Sequence, residues 1–173
     1  MLARVGCAVG NRTGLNVMIL LAFAAGIVAV GCISMHAYYA GLALLALNRL
    51  ISALANACAR EKGKTPLNAM LDTVLDVIVN AGVVLAFAQA DPSRALAAAF
   101  LLFALATMWA ATLESTSGGE TWSLIGHSET FVGFAVACMR PEWFSLICYV
   151  MGTIAFIGTG LRIADAATRR PPA

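Results

Sequence analysis

Long apolar runs broken by short polar stretches set the pattern of this chain. Cutting it at residues 34–37, at "REKGKT" (60–65), "QADPS" (89–93), "ESTSGGE" (114–120) and "RPE" (140–142) leaves six apolar segments, about 15–33, 38–59, 66–88, 94–113, 122–139 and 143–164. A helix rises 1.5 Å per residue, so roughly 17 to 25 residues cross the hydrocarbon of a bilayer. The pattern therefore predicts an all-α membrane protein, a six-transmembrane-helix bundle forming a single transmembrane domain over 1–173. Arg4 and Arg12 precede a first run that ends in "AVGC" at Cys32, the outline of a secretion signal with a lipid-accepting cysteine. The run is about 20 residues long and more spans follow, so it is read as a retained first transmembrane helix.

Composition agrees with the pattern. Hydrophobic residues make up 61% of the chain, charged residues 12%, and the mean hydropathy is +0.85, far from the balance of a soluble domain. The net charge of +2 comes with no basic patch interleaved with aromatics, which speaks against nucleic acid as a partner. With six spans, Arg4, Arg12, Arg60, Lys62, Lys64, Arg169 and Arg170 share one side of the membrane, and only Arg94 and Arg140 lie in the loops of the other. Basic loops stay inside, so both termini are expected to be cytoplasmic. The five cysteines (Cys7, Cys32, Cys58, Cys138, Cys148) show no CxxC pair or metal-ligand spacing and read as packing residues.

The polar residues inside the runs carry the candidate chemistry. In "AREKGKTPLNAMLDTVLD" (59–76), Thr65 and Pro66 suit the N-cap and first position of the third helix. Asp72 then lies roughly 9 to 10 Å along that helix and Asp76 roughly 6 Å deeper, on the same face. A carboxylate at such depth costs about 2.5 kcal/mol or more and normally faces water, a cation or a basic partner. Two on one face suit a divalent cation with oxygen ligands, or a proton or substrate site. Alternatively, Arg49 or Arg60 on the neighbouring helix neutralises one aspartate as a structural pair.

Other features contribute less. His127 and Glu129 are two apart and do not share a helix face; a buried Glu129 needs a partner such as Arg49 or Arg162. Gly118 and Gly119 have no strand ahead of them and read as a turn rather than a phosphate loop. Ala22, Gly26 and Val30, with Ala25 and Ala29, form small-residue rows suited to close helix contact.

Residues 47–76, "LNRLISALANACAREKGKTPLNAMLDTVLD", resemble the signature of the integral-membrane CDP-alcohol phosphatidyltransferases: DxxDGxxAR, about eight residues, G, then xxxDxxxD. Ala59 and Arg60 match the AR pair, and Asp72 and Asp76 match the last two aspartates in the right spacing. "SET" at 128–130 and a Trp-Phe turn before the last helix are similar to the family as well. Ser52 and Ala55 stand where the family has its first two aspartates, and Asn56 and Asn68 where it has its two glycines.

The resemblance implies a fold, a place in phospholipid biosynthesis in a bacterial inner membrane, and a homodimer. It implies transfer of a substituted phosphate from a CDP-linked lipid or alcohol donor to an alcohol. In the family, four carboxylates hold two divalent metals, Mg²⁺ or Mn²⁺, against the donor's pyrophosphate, and the last aspartate is the general base. Clustered anions concentrate such cations, whose charge stabilises the developing phosphate charge. Carried onto this chain, Asp72 and Asp76 are the metal ligands, Asp76 is the catalytic base, and Ser52, Asn56 and Arg60 face the nucleotide and phosphate. Ser52 is a poor replacement ligand and Ala55 cannot coordinate, so any metal is expected to be held weakly. Three functions remain open: a phosphatidyltransferase with an altered metal site, a pseudoenzyme of that fold binding lipid or an intact relative, and a small cation- or proton-coupled transporter. No residue pattern distinguishes the acceptor alcohol.

Overall fold

The apolar runs fold as helices in the computed structural model, which describes residues 15–62, 66–115 and 127–168. In chain order these are α1 Leu15–Ser34, α2 Tyr38–Lys62, α3 Pro66–Ala90, α4 Ala95–Ser115, α5 His127–Met139 and α6 Phe144–Thr168. Short 3₁₀ turns, Pro92–Arg94 and Pro141–Trp143, lead into α4 and α6. Each opens on a proline, whose fixed φ suits a first helical position and whose missing N–H costs nothing there.

Among the described residues, five helices are long and apolar enough to cross a membrane: Leu15–Ser34, Tyr38–Ala59, Met70–Ala90, Pro92–Ala110 and Pro141–Leu161. The fifth segment of the sequence pattern departs from this. Its helix α5 has 13 residues, a rise of about 20 Å, and residues 122–126 of the expected span lie outside the described residues. Large apolar side chains on the other helices, among them Leu20, Leu50, Leu85, Phe103 and Leu161, point outward, as a hydrocarbon solvent permits.

The helices group into two compact units, α1–α3 and α4–α6, within the stretch read from sequence as a single domain. In the first, α1 packs along both α2 and α3. The small-residue row of α1 makes this possible. A Cβ on Gly26 would stand 2.6 and 2.8 Å from the two methyls of Val79 and 3.2 Å from Nδ2 of Asn48, so only glycine lets α2 and α3 approach here. Ala22 and Ala29 are buried on the same helix.

The α1–α2 turn is made by His36 at φ 63°, a left-handed backbone unusual for a residue with a Cβ. Its Nε2 donates to the carbonyl of Ala90 (3.1 Å), one of the last carbonyls of α3 that the helix itself leaves unpaired. Tyr38, at the start of α2, stacks on Phe87 of α3 with ring centres 5.5 Å apart and planes 8° apart. These contacts tie the beginning of α2 to the end of α3.

In the second unit α4 packs on α6, where Gly152 admits the ring of Phe100. Phe100 also meets Tyr149 and Phe156 at 5.5 Å each. Two α6 threonines satisfy their hydroxyls locally, Thr153 on the Tyr149 carbonyl (2.7 Å) and Thr159 on that of Ala155 (2.9 Å). Cys58, Cys138 and Cys148 are buried and Cys32 is half-buried, in keeping with packing roles; Cys7 lies outside the described residues.

At the entry to α4, Asp91 caps the 3₁₀ turn. Its Oδ1 accepts from the Ser93 hydroxyl (2.7 Å) and N–H (3.1 Å), and its Oδ2 meets Arg94 Nε at 3.0 Å. The two Ser93 hydrogen bonds, then the Arg94 charge, hold the Asp91 carboxyl below its ordinary value of 3.8.

Candidate functional site

The α3 residues at 72, 76 and 80 follow one another at four-residue spacing and so share a face. On α2, residues 49, 52, 56 and 60 recur at three and four, which makes a second polar stripe. Among the described residues the backbones of α2 and α3 come close at few points, although both lean on α1. Side chains bridge the interval instead.

Arg49 of α2 reaches across it. Its Nη1 lies 2.8 Å from Asp76 Oδ1 and its Nη2 donates to Asn80 Oδ1 at 3.1 Å. Asn80 Nδ2 closes the ring on Asp76 Oδ2 at 3.3 Å. Both oxygens of Asp76 are thus engaged, one by a cation and one by an amide. The side chains of Arg49 and Asp76 are 21% and 12% exposed, and Asn80 is buried, so this is a charge pair with only partial access to solvent. Of the two arginines able to neutralise an aspartate, Arg49 takes Asp76.

Asn48, the residue before Arg49, turns toward α1. It is 4% exposed, its Nδ2 donates to the Ala22 carbonyl at 2.7 Å, and its Oδ1 is buried without a hydrogen-bond partner. Asn48 and Asn80 were not singled out in the sequence, although Asn80 continues the spacing of Asp72 and Asp76. That continuation was the available signal.

Asp72 is half-buried one turn before Asp76, and Ser52 and Asn56 are half-buried on α2. Arg60 lies in α2 and Asn68 in α3, with side chains outside the described residues. Ala55 is different. It is 2% exposed and belongs to an apolar cluster with Met18 and Ile19, surrounded by Leu15, Ile51, Leu54 and Leu75. Glu129 is exposed in the first turn of α5, the His127 and Arg162 side chains are outside the described residues, and Arg49, one of the partners expected for Glu129, is committed to Asp76.

Divalent metals bound by four carboxylates do not fit these residues. Two of the four positions lack a carboxylate, one of those is enclosed by hydrocarbon at Ala55, and Asp76 already holds a guanidinium. Among the described residues no group of three or more His, Cys, Asp or Glu side chains is placed to hold a metal ion. Among the described residues the arrangement offers polar side chains on two helices, with one fixed cation at Asp76, a second aspartate one turn away and amides on both.

The fold is that of a CDP-alcohol phosphatidyltransferase. The crystal structure of the Mycobacterium tuberculosis phosphatidylinositol phosphate synthase PgsA1 with CDP-DAG bound matches with a TM-score of 0.82 at 19% identity, over 100% of this chain and 98% of that one. In sequence, the inner membrane protein YnjF of Escherichia coli is 28% identical over 161 residues, 83% of this chain and 78% of that protein. No family model matches the chain. Its apolar helices and this relative make it an integral membrane protein.

Proposed function

We propose that this protein binds a CDP-linked lipid or alcohol between α2 and α3, and that it does not carry out two-metal phosphoryl transfer. It is then a pseudoenzyme of the phosphatidyltransferase fold, acting in phospholipid biosynthesis through binding rather than turnover. The basic residues of the loops support a reading in which both termini and the Arg60 end of α2 are on the cytoplasmic side.

The observation that carries the reading is Ala55. Where the signature requires a metal-binding carboxylate, this chain has a methyl group packed against Met18 and Ile19 and all but removed from solvent. Mg²⁺ demands near-octahedral oxygen coordination and is usually held by carboxylates together with substrate phosphates. The neutral Ser52 and the apolar Ala55 leave those two α2 positions without a charged ligand. The similarity to a synthase crystallised with CDP-DAG supports the ligand class, and the retained Arg60 is a multidentate donor suited to phosphate.

The retained pair Asp72 and Asp76 favours a second reading, a phosphatidyltransferase working with one weakly held Mg²⁺ or Mn²⁺. The two separate in one assay. Purified protein is given CDP-diacylglycerol, Mg²⁺ or Mn²⁺ and a panel of acceptors (inositol phosphate, glycerol phosphate, serine), with CMP release and lipid binding both measured. Binding without CMP release is expected. CMP release that disappears in Asp76→Asn would overturn the proposal in favour of the enzyme, and proton-coupled flux in vesicles without lipid-headgroup binding would favour a transporter.

A further inference from the structure

We infer that Arg49 is the resident cation of this site, the protein's own guanidinium standing at Asp76 in place of a divalent metal. The inference rests on the binding reading above and says how that site is charged. Three observations carry it.

The first is the ring itself. Arg49 Nη1 on Asp76 Oδ1 at 2.8 Å, Arg49 Nη2 on Asn80 Oδ1 at 3.1 Å and Asn80 Nδ2 on Asp76 Oδ2 at 3.3 Å fix a planar cation against the carboxylate. The second is where the partners come from. Arg49 projects from α2 and Asp76 and Asn80 from α3, across an interval where the two backbones come close at few points, so the guanidinium spans the gap that a bridging ion would otherwise fill. The third is the balance of charge on α2. Four carboxylates are stable in a membrane only beside comparable positive charge. Replacing two of them with Ser52 and Ala55 leaves fewer anions than two divalent metals would neutralise, and the Arg49 guanidinium matches the single charge of Asp76.

Arg49 differs from a metal in ways that matter. It cannot dissociate from the chain, and it does not exchange with the medium. It carries five N–H donors in a flat fork, of which the ring uses two, so the others can meet an anionic phosphate directly. Headgroup binding thereby becomes independent of divalent ions, and Asp76 is unavailable to them.

Manganese binding tests this in purified, detergent-solubilised full-length protein, read from the loss of the free Mn²⁺ signal in electron paramagnetic resonance. The wild type and Arg49→Lys are expected to bind Mn²⁺ at least 10-fold more weakly than Arg49→Met, which unmasks Asp76 beside Asp72. Binding gained in Arg49→Met should disappear in Arg49→Met/Asp76→Asn. If Arg49→Met fails to fold, the wild type alone decides: its thermal midpoint should stay unchanged on titration with Mn²⁺, because an ion that does not bind the native state cannot stabilise it. Mn²⁺ binding by the wild type that is lost in Asp76→Asn would overturn the inference, as would an Arg49→Met that folds and binds no more tightly than wild type. Binding of CDP-diacylglycerol is followed in the same samples. Its absence from the wild type would reject the lipid-binding function while leaving the manganese result to stand or fall separately.

Discussion

The two halves of the stretch that resembles the signature lie in different surroundings. On α2, the position of the second aspartate is Ala55, sealed among Met18, Ile19, Ile51, Leu54 and Leu75. On α3, the position of the last aspartate is Asp76, which is matched by Arg49 and Asn80. The difference follows from what each helix faces. A side chain at 55 points into the α1 interface, where a bare methyl is well packed and a carboxylate has no counter-charge. A side chain at 76 points into the polar interval, where a base from α2 reaches it. In a membrane an acid persists where a partner neutralises it, and elsewhere apolar packing takes its place.

The largest effect is expected from forcing the two halves to be alike. Ala55→Asp places an unpaired carboxylate in the apolar cluster and should cost about 3 kcal/mol or more, seen as a large drop in the thermal midpoint or failure to accumulate in the membrane. Ala55→Ser, tested beside it, should cost clearly less. If Ala55→Asp were tolerated at wild-type stability, the cluster would be open to water and the contrast between the halves would fail.

Breaking the charge pair ranks next. Arg49→Met removes the cation at Asp76 and should cost about 2 kcal/mol, less than for a fully dehydrated pair because Arg49 and Asp76 keep 21% and 12% of their exposure. Adding Asp76→Asn should restore much of the loss, a coupling of about 1 to 2 kcal/mol in a double-mutant cycle of thermal unfolding. Simple additivity of the two substitutions would deny the pair.

Much of this was legible beforehand. The hydropathy pattern located the helices to within a few residues, since apolar runs and prolines are local signals: α3 does begin at Pro66, and α1 and α2 begin at Leu15 and Tyr38. The spacing of Asp72 and Asp76 gave the polar face of α3 for the same reason. Two things were not legible. Whether Arg49 or Arg60 would meet Asp76 depends on how α2 and α3 are offset along α1, which no local pattern records. That position 55 faces α1 while position 49 faces α3 depends likewise on the rotation of α2 about its axis, and the α2 sequence is apolar on too many sides to define it. The small-residue row of α1 was readable as a contact surface, but its partners, Val79 and Asn48, belong to helices far along the chain.

That row supplies a smaller effect. Gly26→Ala adds a Cβ within 2.6 Å of a Val79 methyl and should cost about 1 kcal/mol, because overpacking outweighs the helix propensity gained. Val79→Ala in the same background should relieve the clash and leave a smaller cost than the sum of the two changes. By moving α3 away from α1, Gly26→Ala should also weaken the coupling between Arg49 and Asp76, linking the packing to the site.

The smallest effect lies at the entry to α4, away from the signature. Asp91 is an exposed cap whose folded pKa is lowered below 3.8 by Ser93 and Arg94, so its stabilisation is present above the unfolded value and is lost as pH falls through the folded one. Asp91→Asn should lower the thermal midpoint slightly at neutral pH, and the difference from wild type should vanish in acid below the folded pKa. A difference unchanged in acid would show that the carboxylate charge contributes nothing there.

The most direct test of the central claim is a binding isotherm for CDP-diacylglycerol in nanodiscs, measured with excess EDTA and again with Mg²⁺. A headgroup held by the protein's own cations, Arg49 among them, predicts saturable binding of equal affinity in both conditions, weakened about 10-fold or more in Arg49→Met when EDTA is present. Binding that appears only with Mg²⁺ and is abolished by Asp72→Asn would contradict it, and would return Asp72 and Asp76 to the role of metal ligands.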